Sequence, residues 1–413
     1  MTSRERVMAS VNHQNPDCLP MDLGSNVSAG ISGMAYGKLK KYLGINHGHN
    51  RIYDVVQQVA QPEIEVLDII GADVLDVGRV FNTADSDWYD VTLSDGTEAQ
   101  WPSWFRPIHN PDGSYDFFDS EGTKIARMPN GGMCFDQCCF PYVEDYPETF
   151  KDLDKAMGKV IWSALVHSPW DHQNEKYFWE DLREKCLVLR NSTDRALMIT
   201  CGCNFFEWGT FLRRMENFLM DIYEDPDKVI ELNEELLQRH LAMLEKTCYY
   251  LDGIVDIVRF GDDLGMNNNM FMSLDKYREI FKPFHTKINE YVHTHSSMKT
   301  FLHSCGAIFP VIGDLIDAGF DILNPVQTSA AGMDPAKLKE EYGKHITFWG
   351  GGCNTRRILN LSTPKEVYEY SRKMIDIFFQ DGGFVFNQEH NILGDCPPEN
   401  LMAMYKAVED ARK

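Results

Sequence analysis

Two residues with metal-binding side chains, His303 and Cys305, lie two positions apart in the segment TFLHSCGAIFP (300–310). The apolar run that leads into this pair predicts a β-strand, and side chains two apart in a strand point to the same side. Imidazole and thiolate both bind zinc, and a catalytic zinc keeps one coordination position open for substrate. The pair therefore predicts a catalytic metal site, with a hydrogen-bonded core histidine as the alternative interpretation.

Further residues that could bind a metal or transfer a proton follow other predicted strands. They are Cys353, Glu389, His390, Cys396, Asp262 and Asp263. A second thiol at a strand end strengthens the metal prediction, because thiolate and imidazole together suit zinc. His390 is interpreted either as an acid that protonates a leaving group or as a residue that hydrogen-bonds its loop. One of the two aspartates is predicted to be an acid, a base or a substrate anchor, and capping of the next loop is the alternative.

The predicted elements alternate between strand and helix along most of the chain. Apolar runs predict strands at 18–24, 72–78, 196–202, 256–262, 299–305, 321–327, 346–352 and 383–389. Helical patterns lie between most of them, at 50–70, 210–250, 273–297, 308–318, 334–342 and 363–380. Strand-then-helix repetition predicts an α/β fold with a parallel sheet, and eight units favour a closed (β/α)8 TIM barrel. The carboxyl ends of barrel strands build its active site, and the candidate residues fall there.

One region interrupts this alternation. Residues 88–128 contain two alternating segments, each around a turn, SDGT and SEGT, which predict hairpins in a small antiparallel β insertion. Residues 129–195 are irregular and rich in aromatic side chains, and serve as a lid, an oligomer contact or a packing segment. We therefore predict a single barrel domain over 1–413, with an insertion at about 88–195.

Composition limits the class of protein. A formal charge of −22 argues against binding to nucleic-acid backbones and to anionic membranes. No apolar run approaches the roughly 18 residues of a membrane span. The N-terminal MTSRERVMASVNHQNPD predicts a short amphipathic helix without an apolar signal core. Eleven scattered cysteines are typical of reduced thiols, so we expect a cytoplasmic protein.

The last third of the chain resembles the uroporphyrinogen decarboxylase superfamily. The similarity lies in FLHSCGAIFPVIGDLIDAGFDILNPVQTSAAGMDPAKLKEEYGKHITFWGGGCNT, GGFVFNQEHN and CPPEN, supported by RERVMASVNHQNPD and VRFGDDLG. Within it, the chain resembles the corrinoid-dependent methyltransferases, including O-demethylases. The resemblance implies a (β/α)8 barrel, commonly a homodimer, with zinc on His303, Cys305 and a later cysteine. As third ligand we rank Cys353 first, Cys396 second and His390 third, with Glu389 as a further candidate.

The resemblance implies a zinc-dependent methyltransferase of anaerobic metabolism. It would move a methyl group from a small methoxylated, aromatic substrate to the cobalt of a corrinoid (cobalamin) on a partner protein. One alternative transfers the methyl group from methylcorrinoid to a thiol. Another is a decarboxylase-like enzyme, which needs arginines near the N-terminus to hold substrate carboxylates, but residues 20–44 contain none. A barrel without catalysis that serves as a binding subunit is the remaining alternative.

Overall fold

The computed structural model describes residues 1–162 and 167–413. The strands in chain order are β1 (Ile31–Ser32), β2 (Ile52–Asp54), β3 (Val59–Ala60), β4 (Val74–Asp76), β5 (Trp88–Thr92), β6 (Glu98–Pro102), β7 (Ile108–His109), β8 (Tyr115–Phe118), β9 (Lys124–Met128), β10 (Asp136–Gln137), β11 (Ala196–Gly202), β12 (Ile257–Gly261), β13 (Lys299–His303), β14 (Ile322–Asn324), β15 (Thr347–Trp349) and β16 (Phe384–Val385). The helices are α1 (Ser3–Val11), α2 (Gly33–Tyr42), α3 (Ile64–Ile70), α4 (Leu153–Met157), α5 (Phe178–Ser192), α6 (Phe206–Arg213), α7 (Met215–Glu224), α8 (Pro226–Leu251), α9 (Leu274–Ile280), α10 (Lys282–His295), α11 (Ile312–Asp317), α12 (Pro335–Tyr342), α13 (Ile358–Leu361), α14 (Pro364–Phe378) and α15 (Pro398–Ala411).

Within residues 1–162 and 167–413, seven parallel strands form the central sheet in the order β16-β15-β14-β13-β12-β11-β4. The eighth position, predicted as a strand at 18–24, is reduced to a bridge between Met21 and Phe386. Met21 O also accepts the backbone N–H of Asp73, which immediately precedes β4, at 2.7 Å. These bonds connect the two edge strands of the sheet, so the predicted α/β TIM-barrel fold is confirmed. The strand predicted at 18–24 is therefore wrong in length, because its backbone contacts the two edge strands of the sheet around Met21 and forms no longer ladder with them.

The barrel interior is arranged in layers by the two-residue period of its strands. An apolar layer contains Ile257, Phe301 and Ile322, which are fully buried. Two residues further along the same strands, on the same side, lie Arg259, His303 and Asn324. The apolar layer therefore lies towards the amino ends of the strands and the polar layer towards their carboxyl ends, where a barrel places its active site.

The N-terminal helix α1 packs across the lower end of this barrel. Thr2 and Glu5 form a capping box that begins the helix, as the amphipathic pattern predicts. Val7 and Val11 join the apolar layer of the barrel strands, and both are buried. Among the described residues, no helix has the length and apolar character that crossing a membrane requires.

Several helix predictions differ from the structure in their bounds. The predicted helix 50–70 is wrong over its first half, because β3 pairs there with both β1 and β2 and only α3 is helical. The predicted helix 210–250 is divided into α6, α7 and α8, with breaks at Arg214, whose φ is +68°, and before Pro226. Helices 273–297 and 363–380 are confirmed as α9 with α10 and as α14.

The insertion contains the two predicted hairpins. β5 pairs with β6 and β8 pairs with β9, both antiparallel, around the SDGT and SEGT turns. The segment predicted as irregular also contains the 15-residue helix α5. The assignment of 1–413 to one domain stays a prediction.

Gly350, directly after β15, provides a test of this fold. Its φ is +128°, and an added Cβ would lie 2.0 Å from the carbonyl oxygen of Pro325. We expect Gly350→Ala to lower the free energy of unfolding by about 3 kcal/mol or more, because strain and overlap add. Gly253→Ala is the matched control, since Gly253 also has a positive φ of +76° but open space around it. Urea unfolding should separate the two variants, and equal losses would contradict the packing of β14 against β15.

Candidate metal centre and active-site cavity

The His303–Cys305 pair lies where β13 ends at the carboxyl side of the barrel. His303 is 6% exposed, and its Nε2 atom lies 3.4 Å from Sγ of Cys305. Both side chains point to the same side, as the period of the strand predicts. The next residue, Gly306, donates its backbone N–H to the side-chain oxygen of Gln327 at 3.0 Å, which fixes the turn that follows the pair.

His390 completes a cluster with this pair. One donor atom each from His303, Cys305 and His390 lies within 4.8 Å of the other two. The two imidazole rings meet edge to face, with centroids 5.6 Å apart. The loop that carries His390 is held by the next residue, Asn391, whose side chain accepts the N–H of Gly30 and donates to the carbonyl of Val27, both at 2.8 Å.

The hydrogen bonds of Asn324 set the tautomer of His303. The Asn324 amide nitrogen donates to the carbonyl of Trp349 at 2.7 Å, so its oxygen faces His303. Nδ1 of His303 lies 2.6 Å from that oxygen and must carry the proton that it donates. The Nε2 lone pair is therefore free to face Cys305 and His390, which is the arrangement that a metal-binding histidine needs.

The protonation states of the cluster agree with a metal site. Burial, together with the Arg259 guanidinium, lowers the pKa of His303 to about 3. Burial and the neighbouring His303 lower the pKa of His390 to about 4, so both rings are neutral ligands. Burial and the nearby Asp263 carboxylate raise the pKa of Cys305 well above its usual value. Two nitrogens and one thiol are a fitting zinc set, and zinc binding would release the thiol proton.

Neither of the two cysteines ranked as third ligand joins this cluster. Among the described residues, the cluster within 4.8 Å contains His390 in that position instead. Cys353 is buried in the apolar core outside the barrel interior, against Ser371 of α14. The thiol of Cys396 lies 3.7 Å from the carbonyl of Leu359, just before α15. The ranking of these cysteines above His390 is therefore corrected by their positions.

Glu389, the further candidate ligand, is engaged elsewhere. Its carboxylate accepts the hydroxyl of Thr328, the backbone N–H of Ser329 at 3.1 Å and the Ser329 hydroxyl at 2.9 Å. The adjacent His390 lies in the cluster, so these two neighbouring side chains face different surroundings. Glu389 therefore connects the loop after β14 to the segment after β16 by hydrogen bonds.

Asp262 is a buried structural residue. It is fully buried and accepts the backbone N–H groups of residues 205, 206 and 207 at 2.8 to 3.2 Å, where α6 begins. Nε2 of His285 lies 3.0 Å from the same carboxylate, and Nδ1 of His285 lies 3.0 Å from the Tyr277 hydroxyl. The alternative interpretation, a cap on the next segment, describes Asp262, and the role of acid, base or substrate anchor stays a prediction for Asp263.

Asp263 is the aspartate that faces the cluster. Its Oδ1 accepts the N–H of Cys305 at 2.8 Å and lies 3.7 Å from Nε2 of His303. Burial raises the pKa of this carboxyl. The two adjacent aspartates therefore have different surroundings: Asp262 caps the start of α6, and Asp263 reaches the barrel mouth.

Arg259 and Glu207 lie in the same site but were not identified from the sequence. Arg259 is 6% exposed, donates to Ser28 at 2.9 Å, and has an Nε atom without a hydrogen-bond partner among the described residues. Burial raises the pKa of Glu207 well above its usual value, and Asn204 donates to its carboxylate. An arginine inside the apolar run DIVRFG is a signal that could have identified Arg259, because such a charge is buried only with partners.

These side chains surround a cavity of about 140 Å³, the cluster cavity. Its polar wall is formed by Glu207, Arg259, Asp263, His303 and His390. Its aromatic wall includes Trp208 and, from the insertion, Trp162. The neighbouring Phe205 and Phe206 are buried against helix side chains, whereas Trp208 reaches the cavity.

The comparisons with known proteins agree with this barrel. Residues 206–411 match the family described as uroporphyrinogen decarboxylase (URO-D), which confirms the superfamily resemblance. A methyltransferase from Methanosarcina mazei superposes with a TM-score of 0.59, covers 99% of each chain and is 14% identical. At this identity the likeness is one of fold.

A second solved structure is more distant. It is a B12-independent methionine synthase from Shewanella sp. W3-18-1 in complex with selenomethionine, with a TM-score of 0.40 and 12% identity. The superposition covers 84% of this chain and 85% of that one. No curated protein matches the sequence significantly.

The two neighbouring aspartates give a paired test of the site. We expect Asp262→Asn to lower the free energy of unfolding by about 3 kcal/mol, because buried N–H donors and His285 lose their charged acceptor. Asp263→Asn should cost about 1 kcal/mol or less, since its side chain is 35% exposed. Denaturant unfolding compares the two variants. Equal stabilities would show that Asp262 does not hold the start of α6.

Proposed function

We propose that this chain, which belongs to the uroporphyrinogen decarboxylase superfamily, is a zinc-dependent methyltransferase that demethylates methoxylated substrates. The observation that carries the proposal is the His303–Cys305–His390 cluster at the mouth of the barrel. The methyl acceptor is a corrinoid carried by a partner protein, and the substrate is a small methoxylated, aromatic compound. The methyltransferase likeness in fold supports this choice.

The cluster supplies the ligands for one zinc ion. Nε2 of His303, Sγ of Cys305 and a ring nitrogen of His390 would hold it, leaving a position for substrate. When bound, zinc supplies Lewis-acid chemistry to the heteroatom that carries the methyl group. Asn324 keeps the Nε2 lone pair of His303 available, and the N–H of Cys305 bonded to Asp263 holds the thiol in place.

Asp263 is the residue that would donate the proton that the leaving oxygen requires. Its carboxyl lies beside the cluster and lines the cavity. When the carbon–oxygen bond of the ether breaks, the electron pair stays on oxygen, and Asp263 donates a proton to that oxygen. Arg259 and Glu207 orient the substrate from the same polar wall of the cavity. Trp162 and Trp208 provide the apolar surface that an aromatic ring requires and exclude water.

The alternative reactions find less support in this cavity. Transfer from methylcorrinoid to a thiol uses the same metal and stays the second candidate. A porphyrinogen decarboxylase needs several cations for its carboxylates, but the cluster cavity is lined by the single arginine Arg259 among the described residues. All eleven cysteines are free thiols, which agrees with the reducing setting of the cytoplasm.

Metal content is the first test of this proposal. We expect the purified wild-type protein to hold one zinc per chain, because three suitable donors converge. Cys305→Ala and His390→Ala should each lose most of the zinc, since losing a ligand weakens binding by about 100-fold or more. Cys353→Ala is the control, because its thiol packs outside the cluster. The measurement is the zinc content of each dialysed variant. Loss of zinc from Cys353→Ala together with its retention in His390→Ala would contradict the assigned ligands.

Turnover tests the role of Asp263 separately. We expect Asp263→Asn to keep its zinc but to lower the rate of methyl transfer by about 100-fold, the usual size of a lost general acid. Formation of the methylated corrinoid from a methoxylated aromatic, followed by its absorption spectrum, is the measurement. An unchanged rate in the zinc-loaded variant would remove Asp263 from the reaction, and methylation of an added thiol instead would favour the second candidate.

A further inference from the structure

A second chamber adjoins the cluster cavity. It has a volume of about 130 Å³, and Val27, Gln57, Trp162 and Thr200 line both spaces. We call it the aromatic chamber, because large aromatic side chains, among them one phenylalanine and three tryptophans, form much of its wall. These four are Phe81, Trp104, Trp162 and Trp170. Two of these approach each other edge to face, with the Phe81 and Trp170 ring centroids 5.4 Å apart.

Two carboxylates also line this chamber. Asp76, at the end of β4, is 5% exposed, and one of its oxygens accepts the N–H of Gly78 at 2.9 Å. Asp54 accepts backbone N–H groups of Val56 at 2.9 Å and Gln57 at 3.4 Å. Burial raises the pKa of Asp54, and it raises that of Asp76 to about 7.

Within the described part of the chain, neither carboxylate has a cation as a direct partner. Arg79 and Arg259 are the charges that act on Asp76 and Asp54, but neither forms a salt bridge with them among the described residues. His167, on the same chamber wall, is kept neutral because burial lowers its pKa. A buried carboxylate without an ion-pair partner is costly, so this chamber favours a positive charge.

Uncommitted polar atoms add to this arrangement. The Tyr53 hydroxyl and Oγ1 of Thr200 are both buried and have no hydrogen-bond partner among the described residues. Both residues line the chamber. Aromatic faces attract cations through their electron-rich surfaces, and the attraction strengthens where water is excluded. Aromatic walls with buried carboxylates are thus suited to an ammonium group.

We infer that the aromatic chamber binds a positively charged organic group, a protonated or quaternary ammonium, in the body of the substrate. Asp76 and Asp54 balance the charge, and the rings of Phe81, Trp104 and Trp170 surround it. This inference deepens the proposed function and rests on it for placing the methyl-bearing atom in the cluster cavity. The substrate would then bridge the two spaces past Thr200 and Gln57.

Choline and its uncharged analogue 3,3-dimethylbutan-1-ol are the probes, because they differ only in the nitrogen that carries the charge. Each probe is titrated into the zinc-loaded full chain, and its dissociation constant is measured by tryptophan fluorescence and by calorimetry. We expect choline to bind at least about tenfold more tightly, the size of a desolvated cation–aromatic contact. Asp76→Asn should remove most of this preference. Asp68→Asn, at an exposed carboxylate paired with Arg195 at 2.6 Å, is the control and should retain it.

Equal binding of the two probes, or an unchanged preference in Asp76→Asn, would overturn the inference. Trp104→Leu is a second variant that should weaken choline more than the analogue, should Asp76→Asn fail to fold. The readout needs no corrinoid and no turnover. A protein that prefers choline but holds no zinc would therefore contradict the proposed function alone, whereas a zinc-loaded methyltransferase without the preference would contradict this inference alone.

Discussion

The hydrogen bond between Nδ1 of His303 and the Asn324 side chain, at 2.6 Å, is the constraint on which the site depends. Asn324 can accept it only because its amide nitrogen is committed to the carbonyl of Trp349. The Trp349 indole in turn donates to Asp22 at 3.0 Å. Three neighbouring strands and the bridge segment thus fix one lone pair, on Nε2, in the direction of Cys305 and His390. A ligand held by barrel strands loses little entropy when it binds a metal.

The layered interior explains why the chemistry lies at one end of the barrel. Apolar residues fill the lower layer, and α1 packs against them. The polar layer above buries His303 and Arg259, beside the half-exposed Asp263. Charges in such a setting interact strongly, since little water screens them. The same burial that keeps both histidines neutral keeps Cys305 protonated, so a metal is the partner that would complete this layer.

The periodicity of the sequence could predict those local features that depend on one strand or one turn alone. The side shared by His303 and Cys305 follows from the two-residue period of β13, and the hairpins follow from their turns. The third donor could not be predicted, because the path of the chain after a strand decides whether Cys353 or His390 faces the mouth. Likewise, Asp262 and Asp263 are distinguished only by the helix that begins at residue 206, which a linear pattern does not place.

The central claim is that one zinc ion is bound by two imidazoles and one thiolate at the barrel mouth. X-ray absorption at the zinc edge of the wild-type protein tests it most directly. The account predicts one sulfur at about 2.3 Å and two imidazole nitrogens at about 2.0 Å, the usual zinc distances. Two or more sulfur neighbours would contradict it, because they would bring Cys353 or Cys396 into a site from which their packing separates them.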